Sequence, residues 1–144
     1  METQYKNILI AIDGSNVAKK AFMKSIDLAK RYEAYLTLTY VIDTRSFSSI
    51  EPYDSAIYSR SEAAGNEMLS EYEQIAKDAG FFNMKKLLKM GSPKAIITKE
   101  IIPEEAIDLV ILGATGTGAV ERFLMGSVSS SVIHHAECDV LIVR

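Results

Sequence analysis

What this sequence lacks narrows its class before any motif is read. It has a single cysteine, Cys138, so no disulfide can form within the chain, and a reducing compartment is the expectation. Neither the cysteine nor the two histidines show the spacing of a zinc site. No apolar run approaches the roughly 18–20 residues that would span a bilayer. The opening Met1-Glu-Thr-Gln-Tyr-Lys6 has neither the basic nor the apolar region of a signal peptide. No block of like charges occurs, and 16 basic against 19 acidic residues leave a formal charge of -3 and a pI near 5.4. That balance argues against nucleic acid or an anionic membrane surface as the main partner. Repeats, linkers and low-complexity tracts are missing as well. What is present is 144 residues at 48% hydrophobic content, enough for one globular domain with a full core. A soluble cytoplasmic protein is expected.

Short apolar runs alternate with helical stripes along the chain. Asn7 to Ile12 reads as a strand buried on both faces. Asp13-Gly14-Ser15 ends it, with Ser15 placed as a helix N-cap. Ala18, Phe22, Ile26 and Ala29 then recur as one face of a helix. Tyr35 to Ile42 is a second strand, dominated by β-branched and aromatic residues. After a polar connection from Asp43 to about Ser55, the spacing of Met68, Tyr72, Ile75 and Ala79 predicts a long helix closed by Gly80. Asn83 to Lys89 carries several lysines and is expected at a sheet edge, where charge discourages aggregation. Ser92-Pro93 reads as a sharp helix start; that helix carries Ile96, Ile97 and Ile101 and is expected to stop by Pro103. Ile107 to Leu112 is the next buried strand, Val128 to His135 the last helix and Asp139 to Val143 the last strand.

This alternation predicts an α/β fold: a single-domain, doubly wound, five-stranded parallel sheet with order 3-2-1-4-5 and helices on both faces. Ligands of such sheets sit outside the carboxyl ends of the strands, where the strand order reverses. Here that crevice opens between strands 1 and 4, and two glycine-bearing turns meet in it. One is Asp13-Gly14-Ser15. The other begins at Gly113-Ala114-Thr115-Gly116 and, nine residues later, reaches Gly126-Ser127. Strand, glycine loop and helix N-terminus in that order suit a phosphate, because backbone N–H groups there have no intrahelical partner. Ser127, Val128 and Ser129 would present those donors, with two hydroxyls beside them, and Arg122 is a candidate cationic contact.

The loop is not a Walker A motif, since no Gly-x4-Gly-Lys-Ser/Thr is present, and it is not the dinucleotide fingerprint, which belongs after the first strand. Asp13 is a candidate ribose-hydroxyl acceptor or metal ligand, and equally an Asx-turn that stabilises the corner. Its reading as an aspartyl-phosphate acceptor lacks the acidic neighbours that chemistry needs. Met90 and Gly91 end the third strand, where they would form part of an adenine pocket's wall. His134 and His135 point about 100° apart on a helix and do not form a chelating pair; interaction with the helix C-terminal dipole is the expectation. Cys138 has no matched base and is expected to pack as a small hydrophobe.

The spacing Gly113-x2-Gly116-x9-Gly126-Ser127 resembles the nucleotide-binding motif of the ATP-binding branch of the universal stress protein family. The resemblance runs over nearly the whole chain. Ile8-Leu-Ile-Ala-Ile-Asp13-Gly-Ser15 is similar to that family's first strand and turn, and Gly126-Ser-Val-Ser129 and His135 to Val143 to its last helix and strand. It implies an adenine nucleotide, usually ATP, with magnesium or manganese accompanying the phosphates. Ala11, Ile12 and Asp13 would line the adenine and ribose side, and Val41 would meet the adenine edge through its backbone. Gly113, Gly116, Gly126, Ser127, Val128 and Ser129 would hold ribose and phosphates. Position 11 is often Pro in that branch and is Ala here. The resemblance also implies a homodimer, with the Val140-Leu-Ile-Val143 edge as the surface that needs covering. The leading expectation is a nucleotide-binding regulatory protein of stress response. A slow ATPase or phosphotransferase and a non-binding dimeric scaffold are the competing classes.

Overall fold

The computed structural model describes residues 4–47, 55–115 and 125–144. Strand β1 (Asn7–Ile12) has Ile8, Leu9 and Ile10 fully buried, so neither of its faces meets water. Strands β2 (Tyr35–Asp43) and β4 (Leu109–Gly113) flank it, and β3 (Met84–Gly91) and β5 (Asp139–Val143) lie at the edges. All pairings are parallel and the order is β3-β2-β1-β4-β5, as the βα alternation predicts. The lysine-bearing strand does occupy an edge. In the centre of the sheet Ile8 sits opposite both Leu36 and Leu109.

The two-residue period of the strands builds two separate cores. Ile8, Ile10, Leu36, Leu38, Leu109 and Ile111 point to one face, where helices α1 (Asn16–Tyr32) and α2 (Ser55–Asp78) cover them with Phe22, Ile26, Leu69 and Tyr72. Leu9, Val110 and Leu112 point to the other face. There they meet Ile97, Ile101 and Ile102 of the helical segment after β3, and Val132 of the last helix, α5 (Ser127–His135). Helix α2 approaches its strands closely at Gly65, where a Cβ would stand 2.9 Å from a Leu88 methyl. It closes as predicted at Gly80, whose φ is +82°. The Phe81 N–H reaches back 2.9 Å to the Ala76 carbonyl there. Helix α1 ends instead on Glu33 in the left-handed region, a stop with no glycine to announce it.

The segment between β3 and β4 departs from expectation. One α-helical turn, α3 (Pro93–Ala95), gives way to a π-helical stretch, Ile96–Ile101, and then to another short turn, α4 (Ile102–Glu104). The Ile102 N–H bonds to the carbonyl of Ile97, five residues back. Pro103 does not stop the helix as predicted. It has no N–H to donate and its ring crowds the carbonyl four residues before it; the widened turns upstream let the chain pass. Strand β4 begins two residues later than predicted; just before it, the Asp108 carboxylate accepts the N–H groups of Lys6 (2.8 Å) and Asn7 (3.2 Å). No helix among the described residues is long and apolar enough to cross a membrane.

Candidate functional site

After β1 the chain turns into α1 on one face of the sheet; after β4 it reaches α5 on the other. That divergence leaves a cavity of about 340 Å³ at the carboxyl ends of the two strands, within the usual range for small-ligand sites. One wall is apolar: Ala11, Ile12, Val41, Leu112, Pro93 and Ile97 line it. Asp13, Gly113, Thr115 and the start of α5, from its N-cap Gly126 to Ser129, line the cavity too.

The β1 corner uses its polar groups on itself. The Ser15 N–H donates to Asp13 Oδ1 at 2.9 Å, an Asx-turn, and Ser15 Oγ accepts the Ala18 N–H at 3.1 Å as the N-cap of α1. Gly14 supplies the turn with a φ of +86°. Among the described residues no hydrogen bond reaches Asp13 Oδ2, and Asp13 lines the cavity. Burial and then the Asp13 carboxylate raise the phenol pKa values of Tyr40 and Tyr72, so a negative charge is felt deep in this corner.

The β4 corner is arranged in the opposite way. Gly126 is the N-cap residue of α5, and no side chain among the described residues caps that helix. Its φ of -63° and ψ of 157° are open to any residue, so the position uses the lack of a side chain rather than backbone freedom. Among the described residues no side chain accepts the first N–H groups of α5, whose residues Ser127, Val128 and Ser129 line the cavity. Ser129, 5% exposed, donates its hydroxyl to the Gly113 carbonyl at 2.6 Å and pins α5 to the end of β4. The base of the loop is closed by Gly126 N–H to Ala114 O and Ala114 N–H to Val143 O, both 2.7 Å.

Gly113 has a reason that sequence reasoning missed. A Cβ there would stand 2.8 Å from Val17 Cγ1 and 3.3 Å from the Ala18 backbone nitrogen, so the glycine lets α1 lie against the strand end. Of the other predicted residues, Ala11, Ile12, Asp13, Val41, Gly113, Gly126, Ser127, Val128 and Ser129 line the cavity together. Gly14, Ser15 and Ala114 stand in the turns behind it and are not among its lining residues. Met90 and Gly91 are not lining residues either; Met90 pairs with Ile42 at the outer strand, and Gly91 adopts a φ of +147° against Ile96. Gly116 and Arg122 lie outside the described residues. Sequence reasoning assigned Ala18, Pro93, Ile97 and Leu112 to helices or strands and Thr115 to the glycine loop, without giving any of them a ligand contact. Pro93 and Ile97 are four apart on one helix, and that spacing was the available signal.

As to a metal, Asp13 brings a single carboxylate, and no group of three or more His, Cys, Asp or Glu that could hold an ion occurs among the described residues. A divalent cation here would depend on a ligand's own oxygens for most of its coordination. The other chemical candidates are quiet. The Cys138 thiol, packed against the second core, is pushed up to about 11 by burial, so it stays protonated and unreactive. His135 places Nδ1 2.9 Å from the Ser131 carbonyl, at the C-terminal turn of α5.

Residues 4–144 match the universal stress protein family. The chain is 49% identical over 140 residues to universal stress protein SH1215 of Staphylococcus haemolyticus, covering 97% of this chain and 85% of that one. Universal stress protein UspA from Lactobacillus plantarum superposes with a TM-score of 0.88 at 32% identity, over 99% of this chain and all of the other. Two remoter solved structures share the fold. One is a universal stress protein in complex with cAMP (TM-score 0.71, 24% identity), covering 99% of this chain and 98% of its own. The other is that of Archaeoglobus fulgidus in complex with dAMP (TM-score 0.69, 18% identity), covering 99% and 100%.

Proposed function

The chain belongs to the universal stress protein family, and we propose that it is an adenine-nucleotide-binding regulatory member, with ATP as ligand. One observation carries the proposal: helix α5, with no side-chain cap among the described residues, begins at a cavity lined both by apolar residues and by Asp13, Thr115 and Ser127. Flat apolar bases and polyanionic phosphates are the two halves of a nucleotide, and the crevice offers one kind of surface to each. In this reading Ala11, Ile12, Val41, Pro93 and Ile97 hold the adenine. Oδ2 of Asp13 accepts a ribose hydroxyl, and the backbone N–H groups of Ser127, Val128 and Ser129 hold phosphate, helped by the Ser127 hydroxyl. The Ser129 hydroxyl proton is already given to Gly113, so Ser129 contributes its backbone. Gly116, outside the described residues, belongs to the same phosphate loop by its spacing. Magnesium or manganese, where present, would ride on the phosphates with Asp13 nearby. Complexes of remote relatives with cAMP and dAMP support the adenine half of this assignment.

The family reading further carries a homodimer in the cytoplasm, joined through β5, whose Val140 to Val143 are only half-buried at the sheet edge. The test is direct. Freshly purified protein is denatured and its released small molecules are separated by chromatography, and emptied protein is titrated with ATP in a calorimeter. An adenine nucleotide in the first experiment or micromolar binding in the second is expected. Neither appearing would sink the proposal.

A further inference from the structure

Pro93 and Ile97 line the crevice although they belong to the segment that follows the outer strand β3. Strand β2 stands between β3 and β1, so that segment crosses the end of β2 to reach the crevice, and α3 comes to rest against β2 and α5. The gap from β3 to β1 is two strand spacings, roughly 10 Å. Pro93 is only two residues beyond Gly91, the last residue of β3, and two residues reach at most about 7 Å. The chain therefore turns at the strand end itself. Ser92 is extended (φ -84°, ψ 116°) and Pro93 is already helical, which leaves the change of direction to Gly91. Its φ of +147° lies in a region that residues with a side chain rarely adopt.

The missing side chain matters as much as the torsion. A Cβ at position 91 would stand 3.2 Å from both Cγ1 and Cδ1 of Ile96, tighter than an ordinary carbon–carbon contact. Ile96 folds back over Gly91, and its N–H donates to the Ser92 carbonyl at 2.9 Å, closing the first helical turn. Its side chain packs against the second core, and the π-helical stretch begins at this residue. Ile97 follows directly, almost fully buried, and lines the crevice.

We infer that Gly91, which does not itself line the crevice, is a positioning residue for its apolar wall. The glycine-only torsion and the missing side chain seat Ile96, and Ile96 holds Pro93 and Ile97 in place on either side of it in the chain. A surface for a flat ring depends on its distance from the facing side, so a small displacement there loses contacts over the whole ring. That this wall holds an adenine rests on the nucleotide-binding reading above; that Gly91 places the wall does not. Gly14 and Gly113 shape the corners they belong to, whereas Gly91 acts on the crevice at one remove, through a neighbouring side chain.

The test pairs ATP calorimetry with crystal structures of the unaltered protein and of Gly91→Ala. An alanine at this torsion, pressed on Ile96, should move Pro93 and Ile97 relative to the sheet while Gly126 to Ser129 stay in place. ATP affinity should fall about tenfold at a temperature where the variant is fully folded, a loss that a role in stability alone would not produce. Ile96→Ala carries no torsional strain and decides the matter should Gly91→Ala not fold. Losing that side chain should loosen the same wall and weaken ATP about threefold or more. Folded Gly91→Ala that binds ATP like the unaltered protein, or whose Pro93 and Ile97 have not moved, overturns the inference. So does unchanged ATP binding by Ile96→Ala. A displacement of α5 together with the wall overturns it too, since Gly91 would then serve the fold at large. If the unaltered protein does not bind ATP, the nucleotide reading has failed, and the crystal comparison alone judges the hold of Gly91 on the wall.

Discussion

At the end of β1 the chain turns through Asp13, Gly14 and Ser15 into a helix whose Ala18 N–H is answered by the Ser15 hydroxyl. At the end of β4 it reaches, through Gly126, a helix that no side chain among the described residues caps. Both corners join a buried strand to a helix, and both border the same crevice. The difference lies in where the donors go. A capped N-terminus has lost part of its appeal to an anion, because a side-chain oxygen already occupies one of its N–H groups. An uncapped one keeps both its donors and its dipole for a ligand. Glycine richness alone does not distinguish the two: among the described glycines of these corners, Gly14 serves a turn, Gly113 serves helix packing, and Gly126 leaves donors open.

The sharpest way to break the contrast is to cap the second corner. Gly126→Asp fits the observed backbone torsions and places a carboxylate over the α5 donors. ATP affinity should fall about 100-fold, from lost charge-assisted hydrogen bonds and a like charge beside the phosphates. Stability should hold or rise by a few tenths of a kcal/mol. Unchanged affinity with an intact melt would move the phosphates away from α5.

Gly113→Ala comes next. Its Cβ would press on Val17 and the α1 backbone, and forcing them apart should cost about 1–3 kcal/mol in urea unfolding. A loss confined to ATP binding, with stability intact, would restore the simpler view that this glycine serves ligand approach.

Ser15→Ala removes the cap at the first corner. A destabilisation of about 1 kcal/mol is expected, with ATP affinity within about twofold of the unaltered protein. A large affinity loss here would erase the division of labour between the corners. The smallest effect on stability is expected for Asp13→Asn, whose side-chain oxygen can still accept the Ser15 N–H. Unfolding should shift by no more than about 0.5 kcal/mol, while ATP binding weakens about fivefold as a charged acceptor becomes a neutral one. Identical titrations for both proteins would leave Asp13 as a turn residue only.

Much of this was legible beforehand, and particular residues show why. Ile8 to Ile10 form a continuous apolar run because the strand is buried on both faces. Ser15 and Gly80 sit at helix ends whose chemistry is local, so both stops could be read directly. Glu33, Pro103 and Gly113 could not. Glu33 closes a helix in a conformation that favours glycine, Pro103 is carried past by π-helical turns, and the need for Gly113 arises from Val17, almost a hundred residues away along the chain. Met90 and Gly91 were placed at a strand end correctly, yet that strand is at the sheet edge, with β2 between it and β1.

The sequence by itself determined the alternation of strands and helices, the strand order and the crevice between strands 1 and 4. Those features follow from periodicity and from the handedness of parallel crossovers, which act over short stretches of chain. Only the tertiary structure decided which glycine leaves donors open, which hydroxyl is already engaged, and that the segment after β3 reaches across to wall the crevice. These depend on what each backbone group meets across the fold, and a hydrogen-bond partner distant in sequence cannot be read from local pattern.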